Sequence, residues 1–111
     1  MNKIDYINLT PHDITIVDMS GKEHVFHPEG LARIDVVKTN VEDIENFSVQ
    51  YEEELQVSGL PDPFPNRIYI TSSRVMLAVR RKDVVSPGEF IRDTDGKIVK
   101  SYGFTTFNRN L

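Results

Sequence analysis

Asn66-Arg67-Ile68-Tyr69-Ile70-Thr71-Ser72-Ser73-Arg74-Val75-Met76-Leu77-Ala78-Val79-Arg80-Arg81-Lys82-Asp83 is the stretch whose reading decides the fold. Ile68, Tyr69, Ile70 and Thr71 are β-branched or aromatic types that suit a pleated, packed surface, which predicts a strand over 67–71. Ser72 and Ser73 then place side-chain oxygens where a helix would begin. The run 75–79 is apolar almost all round, as in a helix buried between layers. Periodicity alone does not separate such a short run from a buried strand. Met76, Leu77 and Ala78 favour helix, which predicts one over 73–82 rather than a hairpin closed at Ser72-Ser73.

A helix starting there would present its first free N–H groups beside two hydroxyls and the Arg74 guanidinium. The partial positive charge and spare donors of a helix N-terminus suit phosphate or carboxylate. The plainer reading is a serine cap with a solvated arginine. Neither a G-x-x-x-x-G-K-[ST] loop nor a G-x-G-x-x-G turn is present, so no familiar phosphate loop is at hand.

Outward from this stretch, composition sets the bounds. A chain of 111 residues is one domain, and 39% apolar with 27% charged residues is ordinary for a globular protein. The absence of cysteine rules out a disulfide framework, a thiolate metal site and a cysteine nucleophile. No apolar leader follows Met1-Asn2-Lys3 and no run approaches membrane-spanning length, so the expected location is the cytoplasm, with no membrane partner. A net charge of −4 argues against long nucleic acid as a partner. The charge is segregated, with acid crowding 42–54 and Arg67, Arg74, Arg80, Arg81 and Lys82 crowding the central stretch. That basic patch leaves room for a small anionic ligand.

Strands are expected at 6–9 and 14–17, joined through Thr10-Pro11-His12-Asp13, with a short return strand at 24–26 and a half-buried strand over 31–37. Val41, Ile44 and Phe47 recur at helical spacing, which predicts a short helix capped by Thr39 or Asn40, with an acidic loop as the rival reading. Strand character resumes at 49–57, before the proline-rich connector 59–65. Asp95-Gly96 between two alternating segments predicts a C-terminal hairpin with a type I′ turn. The tail 108–111 is expected to fray or to serve a subunit contact.

Asn8-Leu9-Thr10-Pro11-His12, Gly59-Leu60-Pro61, Tyr69-Ile70-Thr71-Ser72, Arg81-Lys82-Asp83, Pro87-Gly88 and Arg92-Asp93 followed by Asp95-Gly96 span most of the chain. Together they resemble a family of small, largely uncharacterised phage and prophage proteins. The resemblance implies a phage context and brings no assigned chemistry. By analogy with other small phage proteins, it implies action against host defence, including sequestration of nucleotide signals.

Other constellations are weaker. His24-x-x-His27 has ligand-like spacing, yet on a strand the two rings face opposite ways. His12 sits in a turn and its type suits acid–base work, but no G-x-S-x-G elbow accompanies it, so a hydrolase is a lesser alternative. Asp93-Thr94-Asp95-Gly96 lacks the later ligands of a calcium loop.

The sequence therefore predicts an α+β domain: a small mixed or antiparallel sheet with one central buried helix and a C-terminal β-hairpin. The expected function is non-enzymatic binding of a small phosphate-bearing, nucleotide-like ligand, with no cofactor, metal or catalytic set. Its site would draw on Asn8, Thr10, His12, Tyr69, Ser72, Ser73, Arg74, Arg81 and Arg92, with Tyr69, Phe64 or Tyr102 to stack on a base. The alternative is a protein-interaction inhibitor of a host enzyme acting through the acidic 42–54 face. A homo-oligomer is a candidate assembly, since a small domain with many aromatics gains by burying them at an interface.

Overall fold

In a computed structural model of the chain, residues 3–107 are described, of which 36–40 and 51–55 by backbone alone. The tail 108–111, expected to fray or make a subunit contact, lies outside the described residues.

Among the described residues, eight strands and one seven-residue helix follow one another as β1 (Asp5–Asn8), β2 (Ile14–Val17), β3 (Glu23–Phe26), β4 (Arg33–Ile44), β5 (Phe47–Ser58), β6 (Arg67–Ile70), α1 (Ser73–Val79), β7 (Val84–Arg92) and β8 (Ile98–Thr105). Six strands form one sheet in the order β1-β6-β7-β8-β2-β3, while β4 and β5 form a ribbon of their own. β1, β6 and β7 run parallel, as do β8 and β2; the β7–β8 and β2–β3 pairs are antiparallel. The sheet curls back on itself. Asn8 bridges Pro28, and the Glu29 N–H donates to the Asn8 carbonyl at 2.8 Å, so the outer strands meet and the sheet is nearly closed, like a barrel.

This overturns the expected α+β domain with a central buried helix: the molecule is mostly β. Two local causes can be named. The helix stops at Val79 because Arg80 takes a left-handed conformation (φ 49, ψ 45), with its N–H closing on the Met76 carbonyl at 3.1 Å. Ser72 caps the other end, its hydroxyl accepting from the Val75 N–H at 3.3 Å. Only Val75 and Met76 are buried, while Leu77 and Ala78 face outward. α1 thus lies on the sheet rather than between layers.

The second cause is the segment read as a helix through Val41, Ile44 and Phe47. It is the tip of the β4–β5 ribbon, where Ile44 pairs with Phe47 across a two-residue turn with Glu45 at φ 56. The three-residue spacing that suggests a helical stripe puts Val41 and Ile44 on opposite faces of a strand. Backbone pairing of 41–44 with 47–50 settles the choice, and no local propensity reveals it.

The 93–97 loop also departs from expectation. Among its central residues only Gly96 has a positive φ (82), whereas a type I′ turn needs two. Asp93 N–H donates to Lys97 O at 2.8 Å and Gly96 N–H to Asp93 O at 3.0 Å, a longer loop closed by a left-handed glycine.

Leu9, Ala32, Tyr69, Val75, Met76 and Val84 form the core, and Ile34 and Val57 pack against it from the base of the β4–β5 ribbon. Farther along β7, Gly88 permits close approach to β8: a Cβ there would lie 2.1 Å from the Tyr102 carbonyl oxygen. No helix among the described residues is long and apolar enough to cross a membrane.

Candidate functional site

The carboxyl ends of the parallel strands β1 and β6 gather part of the expected site, because Asn8 stands opposite Ile70. Asn8, Thr10 and His12 leave one strand there, and Ser72, Ser73 and Arg74 leave the other. Their polar atoms are largely committed to the fold. Asn8 is fully buried, and its Nδ2 donates to the His12 and Phe26 carbonyls at 2.8 and 2.9 Å. Its Oδ1 accepts from both the backbone N–H and the hydroxyl of Thr10, at 2.9 and 2.7 Å. Asn8 therefore ties the 9–13 turn to the end of β3, beside the Pro28 bridge that closes the sheet. Ser72 is the helix cap already described, and Ser73, Arg74 and the His12 side chain are exposed.

The other expected site residues are elsewhere. Tyr69 is a core residue whose hydroxyl donates to the Asp62 carbonyl at 3.2 Å. Arg81 is held in a fork on Asp83 at 2.9 and 2.6 Å and donates to the Pro61 carbonyl at 3.0 Å. The same Asp83 contact makes its guanidinium harder still to deprotonate. Arg92 donates to Gly96 O at 2.8 Å in the β7–β8 loop. It lies roughly 20 Å along β7 beyond Ser86, the residue that follows the Ile70–Val85 pair, at about 3.3 Å per strand residue. Arg81, Arg92 and the 72–74 corner do not converge on one phosphate. Phe64, a stacking candidate, instead carries the Arg67 guanidinium 4.4 Å from its ring centre.

A different place has the shape of a site. Tyr6 of β1, Phe26 of β3 and Phe104 of β8 meet across the curled sheet. Tyr6 and Phe104 stack at 5.6 Å with 11° between planes, and Phe26 is tilted against both at 5.7 and 6.3 Å. His24 lies parallel to Phe26 at 6.4 Å. These rings wall an open cleft of about 760 Å³, with Ile16 and Val17 also lining it and Met19, Tyr102 and Asp18 completing it. A second hollow of about 580 Å³ shares Tyr6, His24 and Phe26 and adds Lys3, Ile4 and Asp5. None of the nine site residues expected from the sequence lines either hollow; Tyr102, an expected stacking residue, lines the first.

The polar members of the cleft are organised by the β2–β3 turn. Asp18 Oδ1 accepts from the Ser20 N–H and hydroxyl and from the Lys22 N–H, at 2.8, 2.6 and 3.0 Å. Its Oδ2 meets His24 Nε2 at 2.7 Å. The Ser20 hydroxyl first, and then His24, hold the Asp18 carboxyl well below the ordinary carboxylate range. Asp18 is thus a fixed negative charge that anchors the imidazole on the aromatic wall. His27 pairs separately, its Nδ1 2.9 Å from Asp13 Oδ1, so the His24-x-x-His27 spacing does not make a shared site. No group of three His, Cys, Asp or Glu side chains placed to hold a metal occurs among the described residues.

Stacking on flat, partly exposed rings beside a fixed carboxylate–imidazole pair is chemistry for holding a planar molecule by its faces and edges. Reasoning from the sequence missed Tyr6, Phe26 and Phe104 because single aromatics in short strands look like core. The alternation His24-Val25-Phe26 and Tyr102-Gly103-Phe104 was the available signal. No protein-family model matches the chain, and no curated protein or solved structure does.

Proposed function

We propose that this protein is a non-enzymatic binder of a small nucleotide-like ligand, whose flat ring stacks in the cleft walled by Tyr6, Phe26 and Phe104. The observation that carries the reading is that aromatic wall, partly open to solvent and backed by the Asp18–His24 pair. Base-on-aromatic stacking contributes about 1–3 kcal/mol per base and tolerates any base, while edge contacts to His24 and Asp18 would select among them. Lys3, in the adjoining hollow that shares three of the wall residues, is the cation for a phosphate. Retention without turnover is what a phage protein needs in order to sequester a host nucleotide signal, the use implied by the resemblance in its sequence.

The test is a thermal-shift screen against mono-, di- and cyclic nucleotides, followed by recovery of the bound molecule after denaturation. A ligand at ~100 times its dissociation constant adds about 2.7 kcal/mol to stability. Tyr6→Ala and Phe104→Ala should abolish the shift and Arg74→Ala should leave it; the reverse pattern moves the site back to the start of α1. Intact recovery supports binding, and a processed product would replace it with the His12 hydrolase reading. No shift with any nucleotide ends the proposal.

A further inference from the structure

Among the described residues, the β4–β5 ribbon pairs with no strand of the main sheet and meets the core at its base, through Ile34 and Val57. Ten residues on from Ile34, at about 3.3 Å each, its tip stands about 33 Å out. A two-stranded ribbon alone is marginal in water. Yet Val41, Ile44 and Phe47 crowd the tip with exposures of 59, 57 and 71%. Glu42, Asp43 and Glu45 surround them, also exposed. Residues 33–58 hold seven carboxylates and two cations, against ten and eleven in the rest of the chain, so the whole negative balance sits on this arm.

The complement of that tip is on the same molecule. The outer face of α1 exposes Leu77 and Ala78, and Arg74, Arg80 and Lys82 are exposed along the helix and just beyond it, while Arg81 is held by Asp83. The arm's own tip lies far from this face, because Ile34 and Val57 at the arm's base are the described arm residues that pack on the core with Val75 and Met76 of α1. Two arms meeting tip to tip would bring like charges together. We infer that the occupant is a second copy of this chain: each arm lays its Ile44–Phe47 tip on the other copy's α1, giving an isologous dimer with two equivalent contacts. Apolar contact supplies the affinity, and the acidic arm against the basic helix face sets the partner and its orientation.

Sedimentation equilibrium over a concentration series, on the full chain, tests this without reference to any ligand. The wild-type chain should dimerise, and added salt should weaken the dimer. Phe47→Asp and Leu77→Asp should each weaken it by roughly tenfold or more. Both positions are solvent-facing, so circular dichroism and melting should show an unchanged fold. The decisive experiment mixes a Glu42→Lys/Asp43→Lys chain with an Arg80→Asp chain. Each alone should be monomeric, and the mixture should recover heterodimer, in which one contact is wild type and the other has its charges reversed on both sides. A monomeric wild-type chain, a dimer indifferent to Leu77→Asp, or a mixture that stays monomeric would each overturn the inference and leave the arm to a foreign protein.

Discussion

Tyr6 and Asn8 lie two residues apart on β1, on the same face of the strand, yet their surroundings are opposite. Asn8 is sealed, and every hydrogen bond it makes goes to the chain itself. Tyr6 touches two other rings and still shows part of its surface to solvent beside a hollow. The polar residue, which in the sequence looks like a ligand contact, is consumed in closing the sheet. The aromatic one, which looks like core, is left over for recognition. Availability follows from what the backbone already demands of a side chain rather than from its chemical type.

The sharpest way to break this comparison is Asn8→Ala. It takes the Nδ2 donor from the Phe26 carbonyl and the Oδ1 acceptor from the Thr10 N–H, leaving the Thr10 hydroxyl on the His12 carbonyl at 3.2 Å, so a urea melt should show a loss of about 3 kcal/mol or more. A cost under about 1 kcal/mol would mean that Asn8 is not the closure and is free for a ligand after all. Gly88→Ala comes next. Its new Cβ meets backbone rather than a movable side chain, at the Tyr102 carbonyl of the cleft wall. About 2 kcal/mol of stability should go, together with nucleotide binding.

Tyr6→Ala separates the two conditions more cleanly. Its stability cost should be near 1 kcal/mol because the ring is only partly buried, while nucleotide affinity in a calorimetric titration should fall tenfold or more. Ser72→Ala removes a cap worth about 1 kcal/mol and should leave that affinity unchanged.

The smallest effect is acidic. Asp18 ionises more readily folded than unfolded, so its contribution to stability is present above about pH 4 and lost as pH falls below the ordinary aspartate range. Asp18→Asn should flatten that limb of a stability–pH curve without shifting the rest.

How much of this was legible in advance depended on the range of the interactions. Ile68–Ile70 followed by Ser72 contains its own strand and cap, and both lie where the types of those residues place them. Where the helix ends is set by Arg80 in a left-handed conformation, for which arginine gives no signal. The 41–47 segment was misread because its partner strand decided the outcome, and a three-residue apolar spacing fits either period. The cleft was beyond reach for a stronger reason. Tyr6, Phe26 and Phe104 come from three strands whose adjacency depends on the sheet closing, and no local pattern carries that. The Asn-Leu-Thr-Pro-His run stands out as a motif, but its role in closure shows only once Phe26 and Pro28 are beside it.

The strand order has a consequence for how the chain is made. Asp5 waits for Arg67 and Ile16 for Ser101, so β1 has only the Asn8–Pro28 bridge and its neighbouring bonds until β6 follows, and β2 has only β3 until β8 emerges. Such distant pairings are slow to form. Closure then has to wait for β8, and a nascent chain stalled short of residue 98 would hold an open sheet with two sticky edges, the form that chaperones and proteases meet first.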